Sequence, residues 1–389
     1  MKLIFRILPI LLIMIILAGC GDNRSLNDVT MTGSTVSTKA NADKAEAKLA
    51  NTLDSFCQDN FSGSVLVAQG GKILFSKSYG MADYEKNISV NSKTTFNLGR
   101  ASIEFTAVAI MMLEEKGMLK VEDKIKKYIP DFPNGDSISI HNLLTDSTGI
   151  QDYLVNDTIK QNQTYSALEL IDTFKNKPLN FSPGSEFDPS LSNRVLLGYI
   201  IEKVTGETYD EFISKSIFKP LNMDNSGYYK DNSQNDNKAI GYTTIGKDYK
   251  KAKGYDPSAI YPEGNLYSTA EDLYKFDQVL NTEGLIKKES INKIFKPYIN
   301  TPASFEGYGW AILSQDNNMA SLAQLVGGTQ GYTTRIVKNL NKKLTIIVLS
   351  NIHTADFNNR EDINAENTSR IANIIEIINS ALDEPKSTK

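Results

Sequence analysis

Cysteine, histidine and tryptophan are nearly missing: the 389 residues hold two cysteines, two histidines and one tryptophan. Cys20 and Cys57 permit at most one disulfide, and none within the chain if Cys20 is otherwise modified, so the core has to hold by packing. Cys57 then reads as a small buried apolar residue. His141 and His353 stand far apart with no cysteine or carboxylate cluster at ligand spacing, so no metal and no cofactor is expected. There is no excess of positive charge either. Forty-two Lys and Arg face 46 Asp and Glu, for a net charge of -4 with signs interspersed, which leaves no basic stripe for nucleic acid.

Long apolar runs are also scarce beyond the N-terminus, "MKLIFRILPILLIMIILAGCGDN". Lys2 and Arg6 precede an apolar run that stops at Gly19, the pattern of an export signal. A membrane-spanning helix needs about 20 apolar residues, and this run is shorter. The segment "LAGC" resembles the lipobox of bacterial lipoproteins, which implies cleavage of a signal peptide over 1–19 and acylation of Cys20. Two or three acyl chains hold a protein stably on a bilayer where one does not. The expected location is the extracytoplasmic face of the cell membrane, with Cys20 as anchor. Residues 20–43 are polar, show no apolar period and read as a flexible tether.

The folded domain is expected over 44–384, followed by a short tail, 385–389. "KAEAKLANTLDSF" spaces Ala and Leu for a first helix from Lys44 to about Asp59. "SGSVLVAQGGKILFSKSYG" is two β-prone runs around Gly70 and Gly71, a hairpin. From Asn97 to about residue 300 the chain reads as mostly helical, broken by turn-rich pieces such as "PDFPNGDS" and "FSPGSEFDPSLSN". Several short strands follow in "YGWAILSQ", "SLAQLVGG", "GYTTRIVKN" and "KLTIIVLSN", then a last helix in "NTSRIANIIEIINSALDE". Strands at both ends predict an α/β fold: an antiparallel sheet from both chain ends, flanked by helices, with a helical lobe of about 96–300 inserted.

The segments "GSVLVAQGGKILFSKSYGMAD", "EEKGMLKVEDKIKKYIPDFP", "LLTDSTGIQDY", "LLGYIIEKVTGETYDEFISKSIFKPLNM", "NLYSTAEDLYKF" and "IIVLSN" occur in that order. On them, the chain from about Ser62 to Asn351 resembles the serine β-lactamase and penicillin-binding-protein superfamily, in particular its class C β-lactamase and D-Ala-D-Ala peptidase branch. The resemblance implies three catalytic elements. S-x-x-K opens the helix after the hairpin and supplies nucleophile and base. Y-x-N faces it from the helical lobe. K-T-G or H-x-G lies on a sheet strand and holds the substrate carboxylate and oxyanion.

Each element departs from that pattern here. In "NLGRASIEFTAVAI" the serine position is Arg100 and the lysine position Ile103. Counted back from Leu196 and Leu197, the tyrosine falls on Pro189 and the asparagine on Leu191. In "AQLVGGTQGYTT" the basic residue falls on Leu325 and the hydroxyl residue on Val326, while Gly327 is kept. A guanidinium is no nucleophile at neutral pH, and isoleucine, proline and leucine carry no proton. Ser102 points away from position 100 on the helix. S-x-x-K recurs at Ser216–Lys219 and Ser290–Lys293, neither at a helix start after the hairpin.

These losses predict a pseudoenzyme that binds a cell-wall peptide, a peptide antibiotic or a partner protein. Two alternatives stay open: an active serine hydrolase with rearranged groups, and a structural lipoprotein with no small ligand. Arg100 reads either as a space-filling plug neutralised by Glu104, though Arg before Glu is the weaker order for such a pair, or as a carboxylate or phosphate clamp, and the plug is favoured because buried arginines are usually paired within the protein. Backbone donors near Arg100 and Gly328 depend on fold rather than side chain, and "GGTQG" keeps close approach open at Gly327 and Gly328. Asp146 stands where relatives often carry histidine and reads as a turn held by side-chain to backbone bonds. Ser190, beside the lost pair, and Glu104 complete the candidate binding residues. Trp310 reads as core.

Overall fold

A computed structural model describes residues 46–58, 61–156, 159–160, 163–229, 237–245, 248–353 and 366–382. The expected signal peptide with Cys20, the tether and the tail lie outside the described residues. The sheet starts from the runs "SVLVA" and "LTIIVLS". In β1 (Gly63–Gln69) and β8 (Leu344–Ser350) nearly every residue is buried, because helices cover both faces of the sheet. Gly70 (φ +58°) and Gly71 (φ +84°) turn β1 into β2 (Lys72–Tyr79), and both angles lie in the left-handed region that a two-residue hairpin turn demands.

β3 (Ile299–Asn300), β4 (Phe305–Glu306), β5 (Ala311–Asp316), β6 (Met319–Thr329) and β7 (Tyr332–Asn339) complete an eight-stranded sheet in the order β3-β4-β5-β6-β7-β8-β1-β2. Every pairing is antiparallel. β1 pairs with β8 from Gly63↔Ser350 to Gln69↔Leu344, so the two ends of the domain meet at neighbouring interior strands, as the sequence predicts.

One face is covered by α1 (residues 46–58) and α5 (Glu366–Leu382). Leu49, Leu53, Ile371, Ile374 and Ile378 pack there on Val65, Val67, Val337 and Val348. Cys57 sits in this layer, fully buried, and burial pushes its thiol up to about 12, which keeps it unreactive.

The other face carries the inserted lobe around α2 (Ile103–Glu115), α3 (Leu191–Thr205) and α4 (Ala270–Val279). α2 is buried from Ile103 through Met111, which makes it the central post of the domain rather than a surface helix. The lobe is less helical than the sequence suggests. Phe96–Asn97, Leu266–Ser268 and Gly227–Tyr228 form a three-stranded sheet, and Tyr242–Ile245 pairs with Asp248–Lys251. Aromatic and β-branched residues in these short runs suit strands, but the runs are too brief to show a period.

Candidate functional site

The site is built where β6 crosses the start of α2. Residues Gly99–Ser102 form a 3₁₀ turn feeding α2, and Asn97 Oδ1 accepts the Gly99 N–H at 2.8 Å. The crossing is backbone against backbone. A Cβ on Gly327 would lie 2.4 Å from the Ala101 nitrogen, and one on Gly99 (φ +52°) would lie 2.4 Å from the Gly328 oxygen. Only glycine permits this approach, which brings Gly327 and Gly328 beside Arg100.

Arg100 does not pair with Glu104. Its side chain is 36% exposed and its Nη2 lies 3.4 Å from Asp152 Oδ2. The four-residue spacing expected from an α-helix fails here because residues 99–102 wind at three residues per turn, which rotates Arg100 off the face of Glu104. Glu104 instead points into the core, 3% exposed, near the buried ion pair of Lys338 with Asp277. Burial first, then the Asp277 carboxylate, push the Glu104 acid well above its ordinary range, with Lys338 opposing. Among the described residues, no hydrogen bond reaches its Oε1. Ile103, 2% exposed, packs on Gly309, where a Cβ would lie 2.6 Å from Ile103 Cγ1.

The facing wall is the loop entering α3. Ser190 caps that helix, its Oγ accepting the Ser192 N–H at 3.2 Å, and it is buried, while Pro189 and Leu191 remain partly exposed. Asp146 (φ +50°) holds this loop from below. Its carboxylate accepts from the Asn193 amide at 2.8 Å, the Ser190 N–H at 3.5 Å and the Arg194 guanidinium, and its carbonyl accepts the Asp188 N–H at 2.9 Å. Asp146 does sit in a turn with side-chain to backbone bonds, from Thr145 Oγ1 to the His141 carbonyl at 2.9 Å among them, but its own carboxylate is also one half of a buried ion pair reaching a residue 48 positions on. Burial raises its acid, and Arg194 and the Asn193 amide pull the other way.

Asp152 ties the two walls together. Its Oδ2 accepts the Leu191 N–H at 3.3 Å and its Oδ1 the Leu154 N–H at 2.9 Å, so the carboxylate nearest Arg100 is already held by backbone. On β6, Leu325 is buried at 3% exposure and faces the lobe core, whereas Val326 is 51% exposed. Glu306 on β4 belongs to the same electrostatic neighbourhood. Burial, then the Asp146 carboxylate, push it up to about 8, against the Ser304 hydroxyl and Arg194.

The sequence reading did not single out Asp152, Asn193, Arg194 or Glu306. The signal for Arg194 is a lone cation inside the otherwise apolar start of "NRVLLGYII", and Asp152 is a lone acid between Ile150 and Tyr153, both buried. The repeated S-x-x-K strings lie away from this cleft. Ser290 Oγ donates to Glu115 Oε1 at 2.6 Å and Lys293 pairs with Glu114 at 2.7 Å, so that serine and lysine serve the far end of α2 rather than each other. Ser216 belongs to the short π-helix Ser214–Phe218. Trp310 is fully buried against Phe295. Among the described residues, no group of three His, Cys, Asp or Glu could hold a metal ion, and no helix is long and apolar enough to cross a membrane.

The arrangement offers a half-exposed cation at Arg100, partly exposed Pro189 and Leu191 on the facing loop and close backbone approach at Gly327, with no titratable group on Ile103, Pro189, Leu191 or Leu325. Known proteins share the scaffold. A family model described as Beta-lactamase matches residues 49–368. The protein PbpX of Bacillus subtilis (strain 168) is 36% identical over 264 residues, 67% of this chain but 63% of that protein, less than two thirds of its length. Penicillin-binding protein 4* of the same strain is 31% identical over 336 residues, 80% of this chain and 72% of that protein. A solved penicillin binding protein from Bacillus halodurans superposes with a TM-score of 0.71 at 25% identity, covering 84% of this chain and 98% of that one. Matched over most of its length by the family model, and laid out on the same antiparallel sheet with a lobe inserted between its ends, this chain belongs to the Beta-lactamase family.

Proposed function

We propose that this chain is a non-catalytic binding protein of the cell envelope, held at the extracytoplasmic membrane face by lipid on Cys20. The observation that carries the reading is the set of residues now standing at the reactive positions: Arg100, Ile103, Pro189, Leu191 and Leu325. Acyl transfer needs a nucleophile, a group to take its proton and a group to return it, and none of these side chains does any of the three at neutral pH. Ser102, Ser190 and Ser192, the nearest hydroxyls in sequence to Arg100, Ile103, Pro189 and Leu191, are buried at 0%, 2% and 0% exposure, which weighs against a rearranged hydrolase.

A cell-wall peptide, a peptide antibiotic or a partner protein is the ligand class. The relatives named for penicillin binding favour the first. The partial exposure of Arg100 favours a cleft that binds over one plugged for a purely structural role. The test is turnover: the full chain in detergent, given a chromogenic cephalosporin and a D-alanyl ester, is expected to hydrolyse neither above the buffer rate. Turnover that scales with protein concentration would return the chain to the hydrolases.

A further inference from the structure

We propose that Arg100 forms a carboxylate-binding site at the former nucleophile position, taking a ligand with one free carboxylate on an apolar body. This rests on the non-catalytic reading of the cleft. Among the described residues the one side-chain partner of Arg100 is Asp152, reached by Nη2 at the long distance of 3.4 Å. A guanidinium carries five N–H donors in a planar fork suited to two parallel bonds with a carboxylate, so most of this fork is unused. Asp152 does not depend on it, since the Leu191 and Leu154 amides hold both carboxylate oxygens. A ligand can therefore take up the guanidinium without stranding a buried charge.

The surroundings select the ligand. Leu191, partly exposed, meets Arg100 through Asp152, whose Oδ2 accepts the Leu191 amide and lies nearest the guanidinium, and Pro189, two residues before it, is partly exposed as well. Partly exposed leucine and proline near a cation suit an apolar residue that ends in an acid. The charge balance limits the anion to one charge. Asp152 contacts Arg100, and the Asp146 carboxylate, partly balanced by Arg194, lies close enough to feel the same guanidinium. A phosphate dianion would face both acids with one available cation, whereas a carboxylate matches it.

The experiment is isothermal titration of the full chain in detergent with acetyl-alanyl-leucine, its C-terminal amide and inorganic phosphate. The free acid is expected to bind about tenfold or more tightly than the amide, the range of a charge-assisted pair, and phosphate more weakly than the acid. Arg100→Gln is expected to abolish the preference and Arg100→Lys to keep only part of it, since lysine lacks the fork. Equal binding of acid and amide, tighter binding of phosphate, or no binding of any probe overturns the site. The acid-to-amide ratio on the unaltered chain decides the matter even where a variant fails to fold. Intact mass after exposure to a penicillin separates the two readings: an unmodified chain without carboxylate preference overturns this site alone, whereas a covalent adduct overturns the non-catalytic reading beneath it.

Discussion

Arg194 donates to Asp146 in an ion pair whose side chains are 9% and 7% exposed, and this pair fastens the entry of α3 to the turn before Ser147. The loop it fastens carries Pro189 and Leu191. Breaking one side of a buried pair leaves the other charge without compensation, which typically costs about 3–5 kcal/mol. Arg194→Met is expected to lower the unfolding free energy in urea by about that amount, and Asp146→Leu with Arg194→Met together by less than the sum of the two single changes. Additive losses would show that the pair does not act as a unit.

Arg100→Ser restores a hydroxyl at the start of α2 but leaves Ile103, Pro189 and Leu191 unable to move its proton. The variant is expected to stay unacylated by penicillins. Because the contact with Asp152 is long and half-exposed, the change should shift stability by no more than about 1 kcal/mol. Acylation of this single variant would mean that a base exists which the structure does not reveal.

Gly327 is fixed by the crossing of β6 over the 3₁₀ turn. Gly327→Ala would drive a Cβ to 2.4 Å from the Ala101 nitrogen and 2.5 Å from the Ala101 Cβ, so that β6 and the buried 3₁₀ turn have to part. Overpacking of this kind costs about 1–3 kcal/mol, and chemical denaturation of the variant measures it. An unchanged midpoint would show that the two elements are free to part.

Glu306 links stability to pH. In the folded chain burial keeps it protonated up to about pH 8, while the unfolded chain releases the proton near 4.5. The folded state therefore holds more protons across that window, and its stability falls as pH rises from 4.5 to 8. Glu306→Gln removes this contribution, so the variant should lose less stability than the parent over the same range. Parallel stability curves for the two proteins would exclude Glu306 as the source. Asp146 and Arg194, its charged neighbours, remain in both and cancel in the comparison.

How much of this was legible in the sequence depends on the range of the interaction. The hairpin at Gly70–Gly71 and the strand "LTIIVLS" are written in local composition, and their pairing follows from two apolar runs at opposite ends needing one sheet. The positions that the resemblance assigns to the reactive groups could be placed by counting from neighbouring segments, since Leu196 and Leu197 fix the register of Pro189 and Leu191. The polar framework could not. Arg194 finds Asp146 across 48 residues, and Asp152 finds the Leu191 amide across 39, with no periodic signal joining them. The pairing of Arg100 with Glu104 failed for the opposite reason. A local rule was applied across a 3₁₀ turn whose winding differs from the α-helix that follows.

The central claim is that no acyl-serine chemistry remains, and the intact mass of the full chain after separate incubation with a penicillin and a fluorophosphonate tests it most directly. The account predicts the unmodified mass in both cases. A covalent adduct, traced by peptide mapping to any serine of the chain, would contradict it.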